Sequence, residues 1–224
     1  MHKGSRVSLG FAKNIAERAG LDGVASGPAL EETALLLRDF FAAPGGQKLK
    51  NAALKLLQNR PGPGRLSSEA EWLELEYAFN RLFVGPDSVP APPYASVYLE
   101  PEPQLMGRST DQIRELMRAL GLTPPRPGQE PEDHISYELE LWCILARLNE
   151  VQPGREVKAA LAWLTEERLA VWLPAFIKRA EEAGAPPPIG EALSLLARWI
   201  EAARQGGRPT EVSGNQEELC EKTT

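Results

Sequence analysis

EDHISYELELWCILARLNEV, residues 132 to 151, decides the fold. Ile135, Leu139, Trp142 and Ala146 recur at helical spacing, and Leu141, Leu145 and Leu148 form a second, overlapping stripe. A helix that is apolar over much of its circumference must be covered on several sides, so it belongs in the middle of a bundle. The pattern predicts a central helix from Glu132 to about Val151.

Outward from this helix the same period recurs. Leu30, Ala34, Leu37 and Phe41 follow Pro28, with acids in the first turn and Pro44-Gly45-Gly46 as the stop. Lys48 to Asn59 carries Leu49, Ala53, Leu56 and Leu57 before the breaker run RPGPGR. Ser68 stands three residues before Glu71, the spacing of a capping box, and Trp72, Leu75, Phe79, Leu82 and Phe83 follow on one face. Ser109 and Gln112 have the same spacing ahead of Ile113, Leu116, Met117 and Leu120. Val157 to Leu164 is helical. Leu169, Trp172, Phe176 and Ile177 continue the period, with Pro174 predicting a break near Leu173. A last helix holds Ile189, Leu193, Leu196, Trp199, Ile200 and Ala203. No run of alternating β-branched residues appears, so the expected fold is all-α, a helical bundle in two connected lobes.

The proline-rich TPPRPGQ, Thr123 to Gln129, is the natural hinge between those lobes. The expected organisation is a loosely ordered leader at 1–26 and a helical domain at 27–204. Within the domain the lobes fall at 27–121 and 132–204, the hinge at 122–131, and a disordered tail follows at 205–224.

At 224 residues and 42% hydrophobic content the chain can bury a real core. Its formal charge of −6 argues against bulk attraction to nucleic-acid phosphates or anionic lipid and favours a cationic partner. Cys143 and Cys220 are too few for a disulfide framework or a cysteine-rich metal site, which points to a reducing cytoplasm. No segment has the apolar length to span a bilayer, and the leader lacks the apolar core of an export signal. Phosphate-cradling glycine loops, HExxH and GxSxG are absent, and two histidines cannot build a multi-histidine metal site. No cofactor is expected.

Two stretches stand out from the scaffold. FNRLFVGPDSVPAPPYASVYLEPEPQLMG, Phe79 to Gly107, joins an aromatic helix end, a proline-rich elbow and two tyrosines. Tyr94 and Tyr98 lie four apart and share a face if a short helix begins near Pro93. The second stretch is EPEDHIS, Glu130 to Ser136, where Asp133 and His134 sit at the entry to the central helix. We read the two as one binding surface. For Trp72, Phe79 and Phe83, core packing accounts for the spacing equally well. Asp133-His134 also permits an Asp-His enzyme, although no nucleophile is visible beside it. A neutral His134 bonded to a backbone carbonyl is the simpler reading.

These motifs resemble the TorD/DmsD/NarJ superfamily of cytoplasmic chaperones that mature molybdenum-containing oxidoreductases, and most closely its DmsD-like and TorD-like branch. One motif is Phe79, Leu82, Phe83, Gly85, Pro86, then Pro92, Pro93, Tyr94, Ser96, Val97 and Tyr98; the other is Glu130, Pro131, Asp133 and His134. A weaker match is Leu169, Trp172, Leu173, Pro174 and Phe176, and the likeness runs from about Pro28 to Arg204. The resemblance implies an all-helical fold, either a monomer or a domain-exchanged dimer. It also implies no catalysis, but binding of the twin-arginine signal peptide and apo catalytic subunit of a molybdoenzyme until its cofactor is in place. It further implies a signal-peptide surface of Phe79, Leu82, Phe83, Pro92, Pro93, Tyr94, Tyr98, Glu130, Asp133 and His134. Within that surface Leu82, Phe83, Pro93, Tyr94 and Tyr98 wall a groove, Asp133 pairs with arginine and His134 fixes the connecting loop. A NarJ-like helper of a nitrate reductase-type subunit is the alternative within the superfamily, and a purely structural adaptor the alternative outside it.

Overall fold

The computed structural model describes residues 28–57, 66, 68–86, 88–102, 105–124 and 128–207. The expected leader at 1–26, the RPGPGR turn, the middle of the proline-rich hinge and the tail from 208 onward lie outside the described residues, as do His2 and Cys220.

Helices α1 (Pro28–Phe41), α2 (Gly46–Leu57) and α3 (Glu69–Phe79) form where the apolar period put them. The Ser68–Glu71 capping box closes at both ends, Ser68 Oγ accepting from Glu71 N and Glu71 Oε2 accepting from Ser68 N at 2.8 Å. α3 runs into a π turn, Asn80–Val84, which Gly85 ends at φ 109°, a left-handed conformation that suits glycine. The Pro90–Pro93 run leads into a short helix α4 (Ser96–Leu99), then α5 (Arg108–Ala119) and the central α6 (Ile135–Val151). α7 (Arg155–Ala162), a second π turn (Trp163–Leu169), α8 (Ala170–Glu182) and α9 (Pro187–Gly207) complete the chain. The fold is all-helical, with no strand among the described residues and a single isolated bridge, Tyr94 to His134.

α6 is central as its two apolar stripes require. α1 lies along it, and α9 packs on α1, α2, α3 and α8. Ile135, Leu139, Leu141 and Leu145 of α6 share one apolar core with Leu37 and Phe40 of α1 and with Leu193 and Leu196 of α9. Six aromatic contacts tie Phe40, Phe41, Phe79 and Phe83 to one another and to Phe176 of α8, with centroids 5.2–5.7 Å apart.

Several boundaries differ from the sequence expectation. α6 begins at Ile135, three residues later than Glu132, because His134 is its N-cap. α5 is not started by Ser109. Gly107 is the N-cap, and the capping acceptor is Glu100 from the preceding loop, whose Oε1 takes both Ser109 N and Ser109 Oγ at 2.7 Å. Gly107 leaves room for that carboxylate, which a Cβ would meet at 2.8 Å and push aside. The helix does not break near Leu173. Pro174 lies inside α8, and the departure from α geometry falls upstream in the π turn. Proline leaves the Ala170 carbonyl without its helical donor. Trp172, Leu173 and Phe176 are fully buried on both sides of it, however, and hold the segment on one axis. Gln205 to Gly207, assigned to the tail, complete α9.

Candidate functional site

The two stretches singled out in the sequence meet through their backbones. Ile135 N donates to Pro93 O at 2.9 Å and Ala95 N to Asp133 O at 3.0 Å, so the proline elbow lies against the entry to α6. Asp133 fastens the junction. Its Oδ2 accepts from Ser96 N at 2.7 Å and its Oδ1 from Thr110 Oγ1 at 2.8 Å, which ties α4 and α5 to the loop before α6. The carboxylate is fully buried and both oxygens are taken up. The structure therefore gives Asp133 a different task from the arginine pairing expected of it: it organises the surface from beneath.

His134 fixes the same loop. Its Nδ1 accepts from Ser136 N at 3.2 Å, capping α6, with Ser136 Oγ at 2.8 Å. That arrangement leaves the ring proton on Nε2, which faces Glu130 Oε1 at 3.8 Å. Burial pushes the imidazole down to about 4, against the pull of Asp133. The histidine is neutral as expected, but its partner is the Ser136 amide rather than a carbonyl. The Asp133 carboxylate serves Ser96 and Thr110, so the two residues do not form a catalytic dyad.

Tyr94 stands edge-on to the His134 ring at 5.0 Å, with the Glu130 carboxylate near its hydroxyl. Burial and then the charges of Glu130 and Asp133 push the phenol up to about 12. Glu130, at 41% exposure, opens this corner to solvent with negative charge. Its neighbour Glu132 is buried beneath and gripped by Arg114, whose Nε and Nη2 reach its two oxygens at 3.1 and 2.7 Å. Burial works against the Glu132 charge, but the Arg114 fork outweighs it and holds the carboxyl below its usual range.

The remaining expected site residues divide by depth. Pro92 and Tyr98 are half-buried, and Pro93 is buried under the bridge. Phe79, Leu82 and Phe83 lie in the core, so core packing is the reading the structure supports for them. Tyr94 and Tyr98 do not share a helix face, because α4 begins only at Ser96. Tyr98 instead stacks on Trp172 at 5.6 Å, with Arg179 over its ring at 5.1 Å.

Sequence reasoning missed a buried ion pair under α4. Glu138 Oε1 accepts from Arg168 Nε at 2.8 Å, its Oε2 accepts from Trp172 Nε1 at 3.0 Å, and Gln112 Oε1 lies 3.4 Å from Arg168 Nη1. Burial raises the Glu138 carboxyl, and Arg168 and Trp172 draw it back. The one hint in the sequence is a glutamate on the apolar circumference of the central helix. Nothing in the sequence points from it to Arg168. Among the described residues no group of three or more His, Cys, Asp or Glu side chains is placed to hold a metal ion, and no helix is long and apolar enough to cross a membrane.

Among the described residues the bundle is all-helical, and at the entry to α6 it sets a part-exposed carboxylate beside an aromatic ring. The chain belongs to the nitrate reductase delta subunit family, whose model matches residues 31–178, more than half of its length. It is 39% identical over 127 residues to a Tat proofreading chaperone DmsD of Salmonella typhi, covering 55% of this chain and 57% of that one. It is 35% identical over 153 residues to a chaperone protein TorD of Vibrio cholerae, covering 66% of each. The match thus spans little more than half the length of the DmsD relative. A redox enzyme maturation candidate from Archaeoglobus fulgidus, known from its crystal structure, superposes with a TM-score of 0.49 at 22% identity over 83% of this chain and 97% of that one, a likeness too loose to carry an argument.

Proposed function

We propose that this protein is a system-specific maturation chaperone of the cytoplasm. It binds the twin-arginine signal peptide of a molybdopterin-containing oxidoreductase subunit and holds that subunit from export until its cofactor is inserted. Family membership and the names of the relatives support the class. The observation that carries the peptide reading is the Tyr94–Glu130 corner. A half-exposed carboxylate beside an aromatic ring offers a guanidinium both a charged hydrogen-bond partner and a face to stack on. Asp133 and His134 act beneath it as the frame, and Pro92, Pro93 and Tyr98 set the slope of the surface around it.

The test is calorimetric titration of the protein with a synthetic twin-arginine signal peptide from a molybdoenzyme, beside the same peptide with both arginines changed to alanine. Saturable binding that weakens about tenfold or more with the alanine peptide and with Glu130→Gln supports the reading, the loss being that of one charge-assisted hydrogen bond. Equal binding of both peptides, or none, removes it. The family's description as nitrate reductase delta subunits favours a second reading, assistance to a nitrate reductase-type subunit. In that case the mature subunit binds and the leader peptide does not.

A further inference from the structure

Far along the chain from Glu130, α2 and α3 leave a cavity of about 120 Å³ between them, lined by Leu49, Lys50, Glu69, Trp72, Leu73 and Glu76 among others. Glu69, Leu73, Glu76 and Tyr77 fall at i, i+4, i+7 and i+8 and so share one face of α3. On that face Leu73 is 68% and Tyr77 74% exposed, a pair of large apolar side chains offered to solvent between carboxylates. The groove already accommodates positive charge. The Lys50 ammonium lies 5.2 Å over the Trp72 ring and 3.2 Å from Glu69 Oε2.

We propose that this groove is the docking site of the chain's own residues 1–27. Three features of that segment match it. Its charge is complementary: Lys3, Arg6, Lys13 and Arg18 stand against Glu17 and Asp22, in a chain whose overall charge is −6. Its apolar residues are spaced to face a helix, since Val7, Phe11 and Ile15 recur every fourth residue with the cations between them. Its reach is sufficient. The far end of α1 touches α3 through Phe40 and Phe79, so Pro28 lies one 14-residue helix, about 20 Å, from that contact. Residues 16–27 extend to about 40 Å, which places Val7 to Ile15 within range of the groove. Docked there, Phe11 covers the Leu73–Tyr77 pair, and Arg6 or Lys13 joins Lys50 among the carboxylates.

The experiment uses the full-length chain, half of it uniformly ¹⁵N-labelled, treated with a zero-length carbodiimide cross-linker and analysed by mass spectrometry. The expected products join Lys3 or Lys13 to Glu69 or Glu76 within one isotopic population. Their yield falls about tenfold in Phe11→Ser, which removes the phenyl ring without touching the described fold, and falls likewise in Leu73→Ser, which leaves the charge of the groove unchanged. Absence of these cross-links overturns the proposal, as do cross-links of mixed isotope, which would make the occupant a second copy, or a yield unchanged in both variants.

Discussion

His134 is a base kept from its proton, and that has a measurable cost in acid. Buried, it protonates only near pH 4, whereas in an unfolded chain it does so near 6.5. Between those values the unfolded state holds the extra proton, so this contribution is complete above pH 6.5 and is lost as pH falls to about 4, where it levels off. The shift corresponds to about 3 kcal/mol over that window. His134→Asn retains an N-cap acceptor but cannot titrate. Chemical denaturation at a series of pH values is expected to show a shallower loss between pH 6.5 and 5 in the variant than in the parent. Glu138 and Arg168 make the complementary case. Arg168→Met leaves a buried carboxylate without its cation, held only by Trp172 Nε1, and is expected to cost about 3–5 kcal/mol, while Glu138→Leu combined with Arg168→Met recovers most of it. Denaturant midpoints of the single and double variants check both. His134 was legible as a neutral, hydrogen-bonded residue at a helix entry, while its loop-fixing role came only from the family resemblance. Asp133 was legible as important but not in its role, because its partners Ser96 and Thr110 are brought to it only by folding.

The elements were legible in proportion to how local their causes are. The Ser68–Glu71 box is written in four consecutive residues and forms as spaced; Ser68→Ala is expected to cost about 1 kcal/mol by thermal unfolding. The start of α5 was misread because its capping acceptor, Glu100, lies outside any local motif. Gly107→Ala should displace that carboxylate and lower the melting temperature, and Glu100→Ala should relieve the clash while losing the cap. Pro174 misled for a related reason. A rule about one residue's missing N–H predicts a break, but Trp172, Leu173 and Phe176 are buried around it and the widened coil upstream absorbs the change.

At the scale of the whole molecule the helical class and the centrality of α6 followed from apolar period alone, since a helix coated on both stripes has only one place to go. The packing partners did not follow, because period says which face is buried and not against what. The phenylalanine cluster is the clearest instance: Phe40, Phe41, Phe79 and Phe83 come from the first half of the chain and Phe176 from the second. Phe176→Ala is expected to cost about 3–5 kcal/mol. Because the core is shared, unfolding followed by probes in α3 and in α8 should shift together. Separated transitions would instead favour two lobes that unfold independently about the proline-rich segment.

The π turn at Trp163–Leu169 also bears on the ancestry of the chain. A π turn holds one residue more than a regular α-helical coil would between the same ends. Deleting one residue from it would restore a regular coil and rotate everything before it by about 100°, carrying Arg168 or the residues flanking it off Glu138. Kin that lack the extra residue should therefore show a gap at this point and should also lack the Glu138–Arg168 pair, so that the two traits are inherited as one.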